Sequence, residues 1–239
     1  MKLIIIRHGD PDYSIDSLTE KGRREAELLS LRMEKETVTA FYCSPLGRAR
    51  DTARYTLDRM GREAEICDWL REFPAVVSKP NEYQDCAWDW YPKDWTVCPE
   101  FFDRKGWLHH PVMEAGDVPR KYKEVCDGLD ALLLRHGYKR EGDLYRALRP
   151  NRDTLVFFCH FGLTCVLLSH LLNVSPMVLW HGFCSAPTSV TTLYTEEREA
   201  GFAYFRTAAF GDTSHLYAYG EAPAFSARFC ETFDSDERH

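Results

Sequence analysis

Hydrophobic positions follow two patterns along this chain. Leu3, Ile4, Ile5 and Ile6 form an unbroken run, rich in β-branched residues, that stops at Arg7, His8 and Gly9. Such a run reads as a buried strand that delivers reactive groups at its carboxyl end. Asp153 to Cys159 repeats the pattern and ends in His160, Phe161 and Gly162, and Val38 to Cys43 is a third strand-like run. Elsewhere the apolar residues keep a helical period. Thr19 offers an N-cap for a helix reaching Met33, with Ala26, Leu29 and Met33 inward and a charged, solvated remainder.

Ser44 as N-cap and Pro45 at the first helical position predict a second helix, running to about Met60 and stopped by Gly61. A short strand near Ala64 to Cys67 extends the sheet. Val125, Leu129, Leu132 and Leu133 stripe a helix from about Pro119 to Arg135 that Gly137 ends, and Leu163 to Leu172 reads as an apolar helix ending near Asn173. Val190 to Tyr194 and Phe202 to Thr207 alternate like a hairpin at a sheet edge. Asp10 to Tyr13 must be a loop over the first strand end, and the tail past Gly220 shows no pattern, its last residues expected to fray.

Strands alternating with helices predict one α/β domain over residues 1–239, with a mostly parallel central sheet and helices on both faces. The texture breaks between about 73 and 118, where Trp88, Trp90, Trp95, Phe101 and Trp107 are interleaved with Pro80, Pro92, Pro99 and Pro111. This reads as an aromatic-rich insertion on the main body, either a lid near the site or a satellite cluster without a role in recognition.

Composition narrows the function classes. A net charge of −7 argues against broad binding to nucleic acid or anionic membrane, and no apolar run is long enough to cross a bilayer. The nine cysteines are scattered, without a Cys-x-x-Cys pair, which fits reduced thiols in a cytoplasmic protein and makes zinc a poor expectation. Cys43 and Arg48 are one residue too close for the loop of a cysteine phosphatase.

Two strand ends carrying Arg7, His8 and His160, with Arg48 from a neighbouring helix start, suit an anion at the carboxyl edge of a sheet. Arginine's planar fork matches phosphate oxygens, and a neutral imidazole can attack phosphorus. The segments Arg7-His8-Gly9, Leu18-Thr19-x-x-Gly22, Ser44-Pro45-Leu46-x-Arg48-Ala49-x-x-Thr52-Ala53, His160 and Ala186-Pro187-x-Ser189-Val190-Thr191-Thr192-Leu193, in that order, resemble the histidine phosphatase superfamily, which includes the phosphoglycerate mutases.

The resemblance implies a phosphoglycerate mutase-like fold, His8 as the phosphorylated nucleophile, and Arg7, Arg48 and His160 as the rest of a phosphate pocket. It also implies a carboxylic acid for the leaving oxygen, at the position of Glu72; Glu65 and Glu82 are alternatives. No metal or organic cofactor is implied. Phe161 stands where the family commonly has glycine, so its ring should narrow the pocket or touch the leaving group. Arg50 reads as a surface ion-pair partner, His181 and His215 as loop histidines with structural hydrogen bonds, and the adjacent His109 and His110 as unable to share a ligand.

These readings favour a histidine acid phosphatase-type phosphomonoesterase acting on a small molecule. A cofactor-dependent mutase and a non-catalytic phospho-ligand binding module are the alternatives. The absence of a basic cluster in the insertion leans toward hydrolysis, and a homo-oligomer is left open.

Overall fold

A computed structural model of the chain describes residues 1–80, 84–226, 230–235 and 237. Its centre is an eight-stranded sheet made of β1 (Lys2–Arg7), β2 (Ala40–Cys43), β3 (Glu65–Ile66), β4 (Tyr138–Glu141), β5 (Leu144–Ala147), β6 (Thr154–Cys159), β7 (Val190–Glu199) and β8 (Phe202–Asp212), in the order β3-β2-β6-β1-β7-β8-β5-β4. The half from β3 to β1 is parallel. From β1 to β4 every pairing is antiparallel, so the α/β sheet is mixed, with its parallel part around the strand ends of interest.

Five longer helices pack on it: α1 (Glu20–Met33), α2 (Gly47–Met60), α3 (Val118–Arg135), α4 (Phe161–Leu172) and α5 (Pro176–Gly182). Side chains alternate across a strand, and both faces of β1 and β6 are covered. Ile4, Ile6, Val156 and Phe158 pack with Leu29, Met33 and Ala53 of α1 and α2, whereas Leu3, Ile5, Leu155 and Phe157 pack with Leu129, Leu132 and Leu163 of α3 and α4. This explains why these strands are apolar at every position. Truncating one of the central rings, such as Phe158→Ala, should cost about 3–5 kcal/mol.

α2 begins later than its sequence suggests. Its N-cap is Leu46, without a side-chain bond, and Ser44 and Pro45 precede it. The Ser44 hydroxyl accepts from the Leu46 N–H at 3.2 Å while also meeting His160, and Gly47 sits so close to Asp16 that a Cβ there would lie 2.1 Å from the Asp16 carbonyl oxygen. α4 begins earlier than expected, at Phe161, with His160 as its N-cap residue. The β4–β5 hairpin has no clear sequence signal, its four-residue strands being mostly charged or polar.

Within the insertion, Phe101, Trp107 and Met113 are fully buried and join the core cluster of the α3–α4 face. Trp88 and Trp95 are only partly buried and pack against its rim. No helix among the described residues is long and apolar enough to cross a membrane.

Candidate active site

The sheet register places the two histidines. β1 and β6 run parallel with Arg7 opposite Cys159, so His8 and His160 leave the sheet at the same level. Their ring centroids are 5.1 Å apart, and both rings are buried. His8 Nδ1 lies 2.8 Å from the Gly9 carbonyl oxygen. A carbonyl can only accept, so Nδ1 carries the proton and Nε2 presents a lone pair. Burial, followed by the Arg7 and Arg48 charges, holds this imidazole well below its ordinary pKa and therefore neutral.

His160 is anchored by Ser44, whose Oγ is 2.8 Å from its Nε2. Burial and the neighbouring His8, Arg48 and Arg7 keep it neutral too. His160 Nδ1, Arg7 Nε and Arg48 Nε are buried polar atoms that have no hydrogen-bond partner among the described residues. The two arginine Nε atoms are donors, and buried donors are normally paired, so these two with His160 Nδ1 fit an anionic ligand.

Each arginine is held by its outer nitrogens. Arg7 Nη1 donates to the carbonyls of Ser185 and Ser226, at 2.5 and 2.8 Å. Arg48 Nη1 donates to Asp16 Oδ1 at 2.6 Å, and the guanidinium lies over the Tyr13 ring, 5.4 Å from its centroid. Asp16 Oδ2 also accepts from the Gly47 N–H at 2.7 Å. Burial opposes its charge, but these bonds prevail and hold Asp16 below the usual carboxylate range. Arg50 is exposed and makes no ion pair among the described residues.

Glu72 is brought to the same place from the loop after β3. Its Oε1 accepts from the Phe73 and Leu163 N–H groups, both at 2.9 Å, so the carboxyl stands at the N-terminus of α4 in place of a local cap. Burial raises its pKa, opposed by those two bonds and by the Arg7 and Arg48 charges. Gly162 makes the approach possible: a Cβ there would be 2.8 Å from both Glu72 Oε1 and the Trp88 ring. Of the alternatives, Glu65 is paired with Arg135 at the surface, and Glu82 lies outside the described residues. Phe161 is buried and lines an adjoining cavity.

Several contributors have no independent signal in the sequence. Asp16 and Ser44 position Arg48 and His160. Thr52 Oγ1 accepts from the Gly9 N–H at 2.9 Å, tying α2 to the His8 loop. Gly9 and Gly22 meet closely, a Cβ on Gly22 falling 2.2 Å from the Asp10 carbonyl oxygen, which gives the Leu18-Thr19-x-x-Gly22 segment its physical reason. The tail also departs from expectation: residues 221–226 cross the site, with Ala224 N–H on Glu25 Oε1 at 3.0 Å and Ser226 Oγ on Asp10 Oδ1 at 2.7 Å.

The remaining candidates have structural partners. His181 lies on α5 and His215 on a short helix over Ser214–Tyr217, not on loops; His181 accepts from the Trp90 N–H, and His215 meets Thr188 Oγ1. Burial pushes the Cys43 thiol up to about 12, which removes it as a nucleophile. Cys98, Glu100 and His110 are the one trio among the described residues with metal-ligand atoms within 4.8 Å of one another. His110 Nδ1 caps a helix by accepting from the Val112 N–H, so its neutral ring carries the proton on Nε2, the atom facing Glu100. His109 points to Glu114 instead.

Residues 3–114 match the model of the histidine phosphatase superfamily (branch 1). A 2,3-bisphosphoglycerate-dependent phosphoglycerate mutase of Thermoplasma acidophilum is 34% identical over 93 residues, covering 34% of this chain and 46%, about half, of the mutase. A probable phosphatase of Schizosaccharomyces pombe is 25% identical over 235 residues, 90% of this chain and 95% of its own. Among solved structures, a phosphoserine phosphatase mutant of Entamoeba histolytica in complex with phosphoserine has the same fold at TM-score 0.59, 20% identical, covering 90% of this chain and 98% of that one. A mycobacterial glucosyl-3-phosphoglycerate phosphatase has TM-score 0.55 at 20% identity, covering 88% and 98%. In its motifs and in residues 3–114 the chain is similar to the histidine phosphatase superfamily, and its α/β fold is that of the solved phosphatases.

Proposed function

We propose that the chain hydrolyses phosphate monoesters in two steps through a phosphohistidine on His8. The observation that carries this reading is the His8–Gly9 bond, which leaves Nε2 unprotonated beside two arginines and a carboxyl group. Nε2 attacks phosphorus as the ester P–O bond breaks, and protonated Glu72 gives its proton to the leaving oxygen. The Glu72 carboxylate then takes a proton from water, whose oxygen displaces His8 Nε2 from phosphorus and releases phosphate. Throughout, Arg7, Arg48 and the His160 Nδ1–H donate to the equatorial oxygens. The raised pKa of Glu72 suits an acid that must be protonated when substrate arrives.

The Thermoplasma relative raises the mutase alternative. A mutase must hold a second acidic group, and the cavity beside the pocket has carboxylates, not cations, among its described lining residues. Rapid acid-free denaturation after mixing with labelled phosphomonoester tests the proposal. An acid-labile label should appear on the wild type and be absent from His8→Ala; equal labelling of both would sink the mechanism, and binding without labelling would favour a phospho-ligand module.

A further inference from the structure

A cavity of about 380 Å³ is walled by residues that adjoin the proposed catalytic groups in sequence or in contact. Phe161, directly after His160, forms one wall, and Trp88, whose ring lies against Gly162 beside Glu72, forms another. Trp90, Trp95, Trp180 and Phe183 complete the aromatic lining. Cys184 stands next to Ser185, whose carbonyl holds Arg7. A leaving alcohol attached to a phosphoryl group at His8 would therefore enter this space.

The walls are built to hold their shape. Lys79 is buried, and its ammonium donates to the backbone carbonyls of both Trp88 and Asp89, clamping the chain where Asp89 adopts a left-handed conformation, φ 61°. Trp90 N–H donates to His181 Nε2, while His181 Nδ1 gives its proton to the Met177 carbonyl. With both ring nitrogens used, and burial lowering its pKa to about 4, His181 is a neutral surface stacked on Trp95, 4.9 Å between centroids.

The described lining residues include the carboxylate of Asp89, and the Lys79 ammonium, whose charge acts on it, donates to the carbonyls of Trp88 and Asp89. The Asp89 carboxylate makes no hydrogen bond or ion pair among the described residues. Indole faces attract cations, and a neighbouring carboxylate adds to that attraction while repelling an acidic substrate.

We infer that the preferred substrates are phosphate monoesters of alcohols bearing an ammonium group, with the cation held over the tryptophan faces and opposite Asp89. This rests on the phosphomonoesterase reading of the adjoining pocket.

Choline phosphate and its uncharged isostere, 3,3-dimethylbutyl phosphate, form the test, with 3-phosphoglycerate as the acidic comparison. In the wild type kcat/KM should favour choline phosphate by about tenfold over the isostere, and Asp89→Asn should reduce that ratio about fivefold. Intrinsic reactivity of the two esters cancels between the enzymes, so the change in ratio reports the side chain alone. An unchanged ratio, or faster turnover of 3-phosphoglycerate than of choline phosphate, would overturn the inference. Should Asp89→Asn fail to fold, wild-type tryptophan fluorescence titrated with choline and with 3,3-dimethylbutanol decides it: tighter binding of choline supports the inference, and equal or weaker binding overturns it. Choline binding without turnover of any ester would instead retire the phosphomonoesterase reading.

Discussion

Arg7, His8, Arg48 and His160 stand at the ends of regular elements, whereas Trp88 and Asp89 are carried by irregular backbone and Trp95 by a single helical turn, Pro92–Trp95. The first group inherits its spacing from strand register and a helix start, which hydrogen-bond ladders keep constant whatever the intervening loops do. The second group has no ladder. Its positions depend on Lys79, on His181 and on packing against Trp180 and Phe73. On the proposed mechanism, chemistry that needs fixed distances is placed where the backbone guarantees them, and on the proposed specificity, selection among esters is placed where side chains alone set the shape.

Glu72 belongs to the first region in its proposed role and to the second in placement, so it tests the division most severely. Glu72→Gln should lower turnover of alkyl phosphates by roughly 10²–10⁴-fold and of p-nitrophenyl phosphate far less, because only a poor leaving group needs the proton. Similar losses for both esters, or none for the alkyl ester, would remove Glu72 as the acid. Arg48→Ala should lower kcat/KM by about 10²–10³-fold for every ester alike, since it touches phosphoryl oxygens common to all. A loss confined to one ester class would break the separation of the two regions.

The tail crosses between the regions, and Glu25 reports on its attachment. Burial raises the Glu25 pKa from 4.5 to about 7, although Asp10 and Ala224 N–H bonds oppose the shift. The folded state therefore keeps a proton that the unfolded chain has lost, and stability attributable to this group falls as pH rises from about 4.5 to 7. The difference in unfolding free energy between wild type and Glu25→Ala should shrink by about 3 kcal/mol across that window, read from denaturant melts. A constant difference would show that Glu25 titrates normally. The smallest effect is expected at Ser44: Ser44→Ala, which frees His160 Nε2, should reduce kcat about tenfold and shift its pH profile, whereas a change in KM alone would assign Ser44 to binding.

Much of the scaffold is legible in local pattern. The runs ending at Arg7 and Cys159 are apolar throughout because helices cover both faces of the sheet, and α1 begins where Thr19 caps Gly22. The Ser44 helix start is the instructive exception. Serine followed by proline is a good cap locally, but the Ser44 hydroxyl takes only the Leu46 N–H while also bonding a buried imidazole, and α2 starts after it. Likewise nothing in the polar segment around Asp16 signals that it will hold Arg48, and nothing past Gly220 signals a carbonyl on Arg7.

What the sequence by itself determined is which residues end the buried strands, since unbroken apolar runs and their punctuation are local properties. Only the tertiary structure decided which proton His8 keeps, which carboxyl joins Arg7 and Arg48, and what lines the adjoining cavity. Those depend on a carbonyl one residue away, on a loop folded back against the start of α4, and on indoles from an aperiodic insertion. The physical reason is range: periodicity records how each residue faces its own element, whereas hydrogen bonds between distant segments leave no period to read.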